Sequence, residues 1–140
     1  MTPRHATSLI AMAAGFMMLL PQAAHSDDSD QQLGVAREMV RVLEAYAVYK
    51  MGQYDLAFER YQALAEAGNH QGMYNLANMY AAGLGVEQSD SEAFRWYLKA
   101  AEAGNRLSMA EVARAYADGT GVEANPIQAH YWQVMAAEDP

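Results

Sequence analysis

A period of 36 residues runs through most of this chain and restricts its fold more than any other feature. Three motifs return at that offset: Gly-x-Gly-Val at 83–86 and 119–122, tryptophan at 96 and 132, and Ala-Glu-Ala-Gly-Asn at 65–69 and 101–105. A fixed period between about 20 and 50 residues is typical of proteins built from stacked repeats. The chain is therefore expected to form a row of similar units, each packed on the next.

Each unit is predicted to be a pair of helices, because apolar residues recur at three and four residues and no segment alternates as a strand would. Turn and capping residues divide the chain into six helices, predicted at 32–50, 54–67, 71–82, 90–103, 107–117 and 126–138. In the first helix the recurring apolar residues are Leu33, Ala36, Met39, Val40, Leu43 and Ala47. The predicted fold class is all-α, an α–α superhelix (solenoid) of about three stacked helix hairpins at roughly 33–68, 69–104 and 105–138.

Local residue patterns predict where several helices begin and end. Gly83 stands where a residue with positive φ can end a helix, and Ser89 with Glu92 three residues later matches a capping box. Asn125 followed by Pro126 predicts a helix start, because a proline at the first position has no N–H to leave unpaired.

The first helices of the second and third hairpins are expected to cross the preceding hairpin closely. Gly72 and its counterpart Ser108 are small residues predicted to lie at those crossings. Asn69 and Asn105 precede the two helices and are predicted to cap them rather than to bind a ligand.

The N-terminus has the pattern of a cleavable secretory signal. Arg4 and His5 precede an uncharged, mainly apolar run at 6–20, and Ala24-His25-Ser26 offers small residues to a signal peptidase. The run is shorter than the roughly 20 residues that a membrane-spanning helix needs, although an uncleaved anchor is the alternative. We expect cleavage after Ser26, a flexible acidic lead-in at 27–32 and a repeat domain at 33–140, with no membrane span after cleavage. The chain has no cysteine, so a lipoprotein is excluded and a periplasmic or secreted location is expected.

The charge of the chain limits its partners. Removal of 1–26 takes away one basic residue, Arg4, and leaves 8 basic residues against 17 acidic ones. Such an acidic chain is not expected to bind nucleic acid or an anionic membrane surface, because phosphates would repel it.

No pattern of catalytic or cofactor-binding residues is present in the sequence. His70 and His130 do not follow the repeat and have no further ligands beside them, so no metal site is predicted. The Gly-x-Gly turns follow helices rather than strands, which argues against a phosphate loop. No serine has a histidine and an acid in a recognisable arrangement, so we expect neither an enzyme nor a cofactor. Four aromatic residues offer an alternative, a stacking platform for cell-wall material, although their recurrence favours core packing: Trp96, Tyr97, Tyr131 and Trp132.

The repeated residues resemble the Sel-one-like repeat (SLR) family, a relative of the tetratricopeptide repeats. The match is carried by Tyr74-Asn75-Leu76, Tyr80, Gly83-x-Gly85-Val86, Asp90, Ala93, Trp96-Tyr97 and Ala100-Ala101-x-x-Gly104, and by their counterparts in the third hairpin. The first hairpin departs from the pattern, since its turn is five residues shorter. Some exported members carry disulfides and bind penicillin-like ligands, which the absence of cysteine argues against here.

The resemblance implies an adaptor whose first helices line the inner face of a right-handed superhelix and hold a peptide or helix of another protein. The residues of that face not needed for the core are Arg41, Glu44, Ala47, Gln71, Asn75, Asn78, Glu111 and Arg114. We therefore expect an exported protein–protein adaptor that regulates or assembles an envelope complex. The alternatives are a cell-wall (peptidoglycan)-associated accessory protein or enzyme, and a regulator that holds the outer part of a membrane sensor.

The apolar side of the last helix, with Ile127, Val134 and Met135, is expected to contact a partner or a second copy. A second copy would make a homodimer through the C-terminal hairpin.

Overall fold

The computed structural model describes residues 23–138, with side chains from residue 27 onward. Six helices follow one another: α1 Ala23–Lys50, α2 Tyr54–Glu66, α3 His70–Ala82, α4 Asp90–Glu102, α5 Arg106–Asp118 and α6 Pro126–Ala137. Each helix packs mainly on the next one in the sequence, so that three hairpins form a stack. Among these described residues there is no strand, and no helix is long and apolar enough to span a membrane.

The predicted helices α2 to α6 are confirmed to within one residue at each end, whereas the start of α1 was predicted wrongly. Helix α1 already includes Ala23, the first described residue, so residues 27–32 are helical and do not precede the helix. This acidic segment contains no glycine or proline, and extending an existing helix costs far less than nucleating one. The predicted signal peptide at 1–26 lies almost entirely outside the described residues, and its cleavage stays a prediction.

The helix caps follow the sequence with one exception. Asn125 accepts hydrogen bonds of 3.1 Å from the second and third backbone N–H groups of α6, as predicted. Ser89 Oγ accepts from the Glu92 backbone N–H at 3.2 Å. The Glu92 carboxylate does not accept from the Ser89 backbone N–H, which donates to the Tyr80 carbonyl oxygen at 3.0 Å, and the Arg95 guanidinium binds the carboxylate at 2.7 Å. Only one half of the predicted capping box is therefore formed.

The second glycine of each Gly-x-Gly-Val turn allows one hairpin to touch the backbone of the previous one. Gly85 and Gly121 have positive φ angles of 68° and 73°. A Cβ on Gly85 would lie 2.7 Å from the carbonyl carbon of Tyr54, and one on Gly121 would lie 2.5 Å from that of Asp90. Each turn therefore rests on the first residue of the second helix in the preceding hairpin. This close approach explains why glycine recurs there.

The predicted helix crossing at Gly72 is confirmed. A Cβ on Gly72 would lie 2.5 Å from the Cβ of Leu64 in α2, so only a hydrogen atom fits. The counterpart of Gly72 in the third hairpin is Ser108, which is completely buried. The counterpart of Leu64 is Ala100, and this smaller residue leaves room for a side chain on α5.

Aromatic residues fill the space between hairpins. Phe58 meets Tyr80 edge to face with ring centroids 5.4 Å apart, and 36 residues later Phe94 meets Tyr116 at 5.2 Å. Trp96, Tyr97 and Trp132 are buried, which confirms their predicted packing role and removes them from any stacking platform. Only Tyr131 of that proposed platform is exposed, at 51%.

Candidate functional site

A groove of about 100 Å³ lies between the second and third hairpins, and we call it the inter-hairpin groove. Its lining includes Asp90, Phe94, Tyr97, Glu111, Arg114 and Asp118. The Phe94 ring, packed edge to face on Tyr116, and three alanines supply its apolar part. Helices α4 and α5 therefore hold both polar and apolar groups in fixed positions along one channel.

Tyr97 of α4 lines this groove and joins the two helices of the second hairpin. Its hydroxyl donates a 2.5 Å hydrogen bond to Asn78 Oδ1, and its ring lies 6.0 Å from that of Tyr74. Burial raises the pKa of Tyr97, and the nearby Glu111 carboxylate raises the pKa further. Tyr97 is therefore a neutral hydrogen-bond donor at any physiological pH.

The ion pair between Glu111 and Arg114 forms the polar rim of the groove. The two side chains are one turn apart on α5, and the Arg114 side chain is 68% exposed while that of Glu111 is 25% exposed. Such surface pairs contribute at most about 1 kcal/mol to folding. Arg114 can therefore exchange this partner for a group on a bound segment at little cost to stability.

The acidic residues outnumber the basic ones at this groove. Asp90, Glu111 and Asp118 supply three carboxylates, against the single guanidinium of Arg114. Such an arrangement favours a positively charged or hydrogen-bond-donating group. Within residues 27–138 no group of three histidine or acidic side chains is placed to hold a metal ion.

The eight residues predicted for the inner face do not form one site. Asn78, Glu111 and Arg114 gather around Tyr97. Gln71 and Asn75 are half-buried on α3. The remaining three belong to α1, where Arg41 and Glu44 line a separate groove of about 230 Å³ against α2, and Ala47 is exposed. That these residues contact a partner stays a prediction.

Asn78 was predicted to offer its side-chain amide to a partner, but part of that amide is already used within the fold. Its carbonyl oxygen is occupied by the Tyr97 hydroxyl. Sequence reasoning also missed Asp90, Asp118 and Tyr97 as groove residues. A difference between repeats could have identified Tyr97. Its counterpart 36 residues later is Gln133, whereas the preceding residue is tryptophan in both repeats.

Alkaline pH is expected to destabilise the fold through two buried tyrosines. Burial, with smaller contributions from Tyr49 and Tyr46, raises the pKa of Tyr61 to about 12, and burial also raises that of Tyr97. The folded state thus holds protons that the unfolded state releases above about pH 10. Stability should be complete below pH 10 and fall by about 1.4 kcal/mol per pH unit for each tyrosine as pH rises towards 12.

Ultraviolet absorbance of tyrosinate and circular dichroism, followed together during an alkaline titration, measure this effect. Tyr97→Phe should reduce the pH dependence of unfolding, whereas Tyr131→Phe, at an exposed position, should not. Ionisation of all nine tyrosines near pH 10 in a chain that stays folded would contradict it.

A sequence profile of the Sel1 repeat matches residues 70–105 and 106–139, which together make half of the chain. The chain belongs to the Sel1 repeat family. Sel1 repeats generally mediate protein–protein interaction, and the family is typically a non-enzymatic scaffold. The resemblance drawn from the repeated glycines and aromatics is thereby confirmed.

Two solved structures are similar to this Sel1 repeat protein. One is a Sel1 repeat protein from Oxalobacter formigenes, with a TM-score of 0.64 and 31% identity over 69% of this chain and 39% of that one. The other is a protective antigen of uropathogenic Escherichia coli strains that displays an SLR fold, with a TM-score of 0.59 and 36% identity over 60% of this chain and 18% of that one. The all-α solenoid is confirmed by both.

Two curated relatives are named exopolysaccharide production negative regulator. The protein of Rhizobium meliloti (strain 1021) is 46% identical over 50 residues, and that of Rhizobium leguminosarum bv. viciae is 48% identical over 50 residues. Each match covers 36% of this chain and 19% of the relative. This Sel1 repeat protein therefore spans about a fifth of the length of these relatives.

Proposed function

We propose that this chain is an exported adaptor that binds a peptide or helix of a partner protein at the inter-hairpin groove and so regulates or assembles an envelope complex. The observation that carries the proposal is the fixed set of polar groups around Tyr97. Groups held in place before binding lose little conformational entropy when a partner arrives. The Asn78, Glu111 and Arg114 side chains are all on first helices of hairpins, which line the inner face in this family.

The charge of the groove supports a bound segment that is positively charged. Three carboxylates face it with one guanidinium, and the whole chain has a formal charge of −8. A segment carrying lysine or arginine would be attracted over a distance and then oriented at the groove. Alanines and Phe94 would contact the apolar part of that segment.

The relatives support a regulatory role. Both curated relatives are named as negative regulators, although the chain spans only part of each. Export rests on the pattern of residues 1–26. The cell-wall alternative retains one exposed aromatic residue, Tyr131, because the other three are buried.

Reversal of one exposed charge tests the groove. Asp118 is the last residue of α5, where a carboxylate is unfavourable beside the helix C-terminus, so Asp118→Lys should leave folding intact or improve it slightly. Because the variant replaces attraction by repulsion, a partner retained from an envelope extract should be at least about tenfold less abundant, a change of about 1.4 kcal/mol.

A matched control is Glu102→Lys, which makes the same charge change at the last residue of α4, outside the groove. It should retain the partner as the parent chain does. Equal retention by Asp118→Lys would exclude the groove, and retention of peptidoglycan fragments without any protein would support the cell-wall alternative. Mass spectrometry of the chain recovered from the envelope supports export if the chain starts at Asp27 and contradicts cleavage if it starts at Met1.

A further inference from the structure

The N-terminal half of α1 lies beyond the body of the stack. This helix has 28 residues, whereas its partner in the hairpin, α2, has 13. Every described residue from Asp27 to Arg41 is exposed. A single helix in water gains little stability from its own hydrogen bonds, and most helical stability in proteins comes from packing of an apolar face. This half of α1 would therefore be stabilised by a surface that the other described residues, up to residue 138, do not supply.

The exposed side of α1 has the spacing of a coiled-coil seam. Leu33, Ala36, Val40, Leu43 and Ala47 are separated by three, four, three and four residues. A seam with this heptad spacing faces a partner helix along its whole length. The face that packs on α2 is a different one, where Ala45 and Val48 are buried. The apolar pattern that the sequence analysis found in this helix is thus turned away from the hairpin.

The apolar surface left open on α1 is large enough for a specific interface. Five large apolar side chains on the seam and its flank are between 51% and 61% exposed: Leu33, Met39, Val40, Leu43 and Tyr46. At about 100 Å² each they make roughly 500 Å² on one protomer, or about 1,000 Å² for two, which is about the smallest area expected of a specific interface. Monomeric soluble proteins rarely expose an apolar patch of this size without using it.

We propose that α1 pairs antiparallel with α1 of a second copy of this chain, forming a two-fold symmetric dimer. A two-fold interface requires a surface that is complementary to itself. In the register proposed, Val40 packs against Leu43 of the second copy, and Ala36 packs against Ala47 of the second copy. The small alanines let the two helices approach closely at both ends of the seam.

The charges beside the seam select the second copy and the antiparallel direction. In an antiparallel coiled coil, residues on one side of the seam face the equivalent side of the partner helix. Arg37 of each copy therefore lies beside Glu44 of the other copy. The opposite flank places Met39 beside Tyr46 of the second copy, so that the apolar contact widens. A parallel pair would instead face Arg37 with Gln32 and Glu44 with Met39, which forms no ion pair.

The dimer is independent of the proposed adaptor function. Its residues lie on α1, whereas the inter-hairpin groove is built mainly by α4 and α5. A dimer would present two such grooves and raise the effective concentration for a partner with two binding segments.

The molar mass of the full chain tests the proposal. Light scattering at micromolar concentration should give twice the 15.4 kDa of one chain. Leu43→Glu places a charge in the centre of the seam at an exposed position, and should give a monomer while circular dichroism shows the hairpins still folded. Ile127→Glu, on the 78% exposed residue of α6, is the matched control and should remain a dimer.

Three results would overturn the proposal. A parent chain that is monomeric by light scattering would exclude the dimer. A dimer that survives Leu43→Glu but is lost in Ile127→Glu places the interface on the C-terminal hairpin. A dimer that survives both variants would be held by another segment, such as residues 1–22, which every variant retains.

Disulfide crosslinking tests the direction, since the chain has no cysteine of its own. Ala36→Cys and Ala47→Cys should form a mixed disulfide when the two variants are combined, because the two positions face each other in the antiparallel register. Neither variant should crosslink with itself, since the two equivalent positions are then about 16 Å apart along the helix. Efficient crosslinking of Ala36→Cys alone would show a parallel pair and contradict the register.

Discussion

Replacement of Gly121 by alanine is expected to detach the third hairpin from the stack. Gly121 has a φ of +73°, which costs an alanine about 1–2 kcal/mol. The added Cβ would also lie 2.5 Å from the carbonyl carbon of Asp90, at the first turn of α4. This obstacle is backbone and cannot rotate away, so the turn must lift from α4. We expect a total loss of at least about 3–4 kcal/mol, a large fraction of the stability of a small domain.

Gly104→Ala separates the cost of the positive φ angle from the cost of the clash with the neighbouring backbone. Gly104 also has a positive φ, +94°, but a Cβ there meets nothing within 4 Å. Its replacement should cost only the conformational strain, about 1–2 kcal/mol. Urea unfolding followed by circular dichroism gives both values, and Gly85→Ala should resemble Gly121→Ala. Equal losses at Gly104 and Gly121 would show that the close approach of the turn to α4 contributes nothing.

These glycines also show why most of the fold could be predicted from the sequence. The ends of α2 to α6 are determined by residues within a few positions of each end, such as Asn125 and Gly83, so a local pattern is sufficient. Residues 27–32 include neither a glycine nor a proline that would interrupt the helix, so the predicted start at Gln32 was wrong. An apolar spacing of three and four predicted a helix correctly but did not predict which face would pack on α2.

The inter-hairpin groove was harder to predict for a different reason. Tyr97, Asn78 and Glu111 are brought together by the way two hairpins stack, and no local pattern fixes that distance. Asn78 and Arg114 occupy the same position in successive repeats, and so do Asn75 and Glu111. The Glu111–Arg114 ion pair follows from a spacing of three residues on one helix, whereas the hydrogen bond between Tyr97 and Asn78 followed only from the packing of α3 on α4.

The helix crossing at Gly72 is expected to show strong coupling between two residues. Gly72→Ser copies the third hairpin and should cost about 1–3 kcal/mol by overpacking, because its Cβ would lie 2.5 Å from the Cβ of Leu64. Leu64→Ala should cost about 2–4 kcal/mol by leaving a cavity. The double variant reproduces the Ser108 and Ala100 pair already present one repeat later. It should be at least about 1 kcal/mol more stable than the sum of the single effects predicts.

Urea unfolding of the four chains of this double-mutant cycle measures the coupling. The converse replacement, Ala100→Leu in the presence of Ser108, should overpack the α4–α5 crossing and should be relieved by Ser108→Gly. Additive losses in both cycles would mean that the crossings adjust independently of these side chains. The cycle at Ala100 and Ser108 should also affect the inter-hairpin groove, since α4 and α5 carry Tyr97 and Glu111. A wider α4–α5 crossing would separate these two groups, so Ala100→Leu should weaken partner binding even though Ala100 does not line the groove.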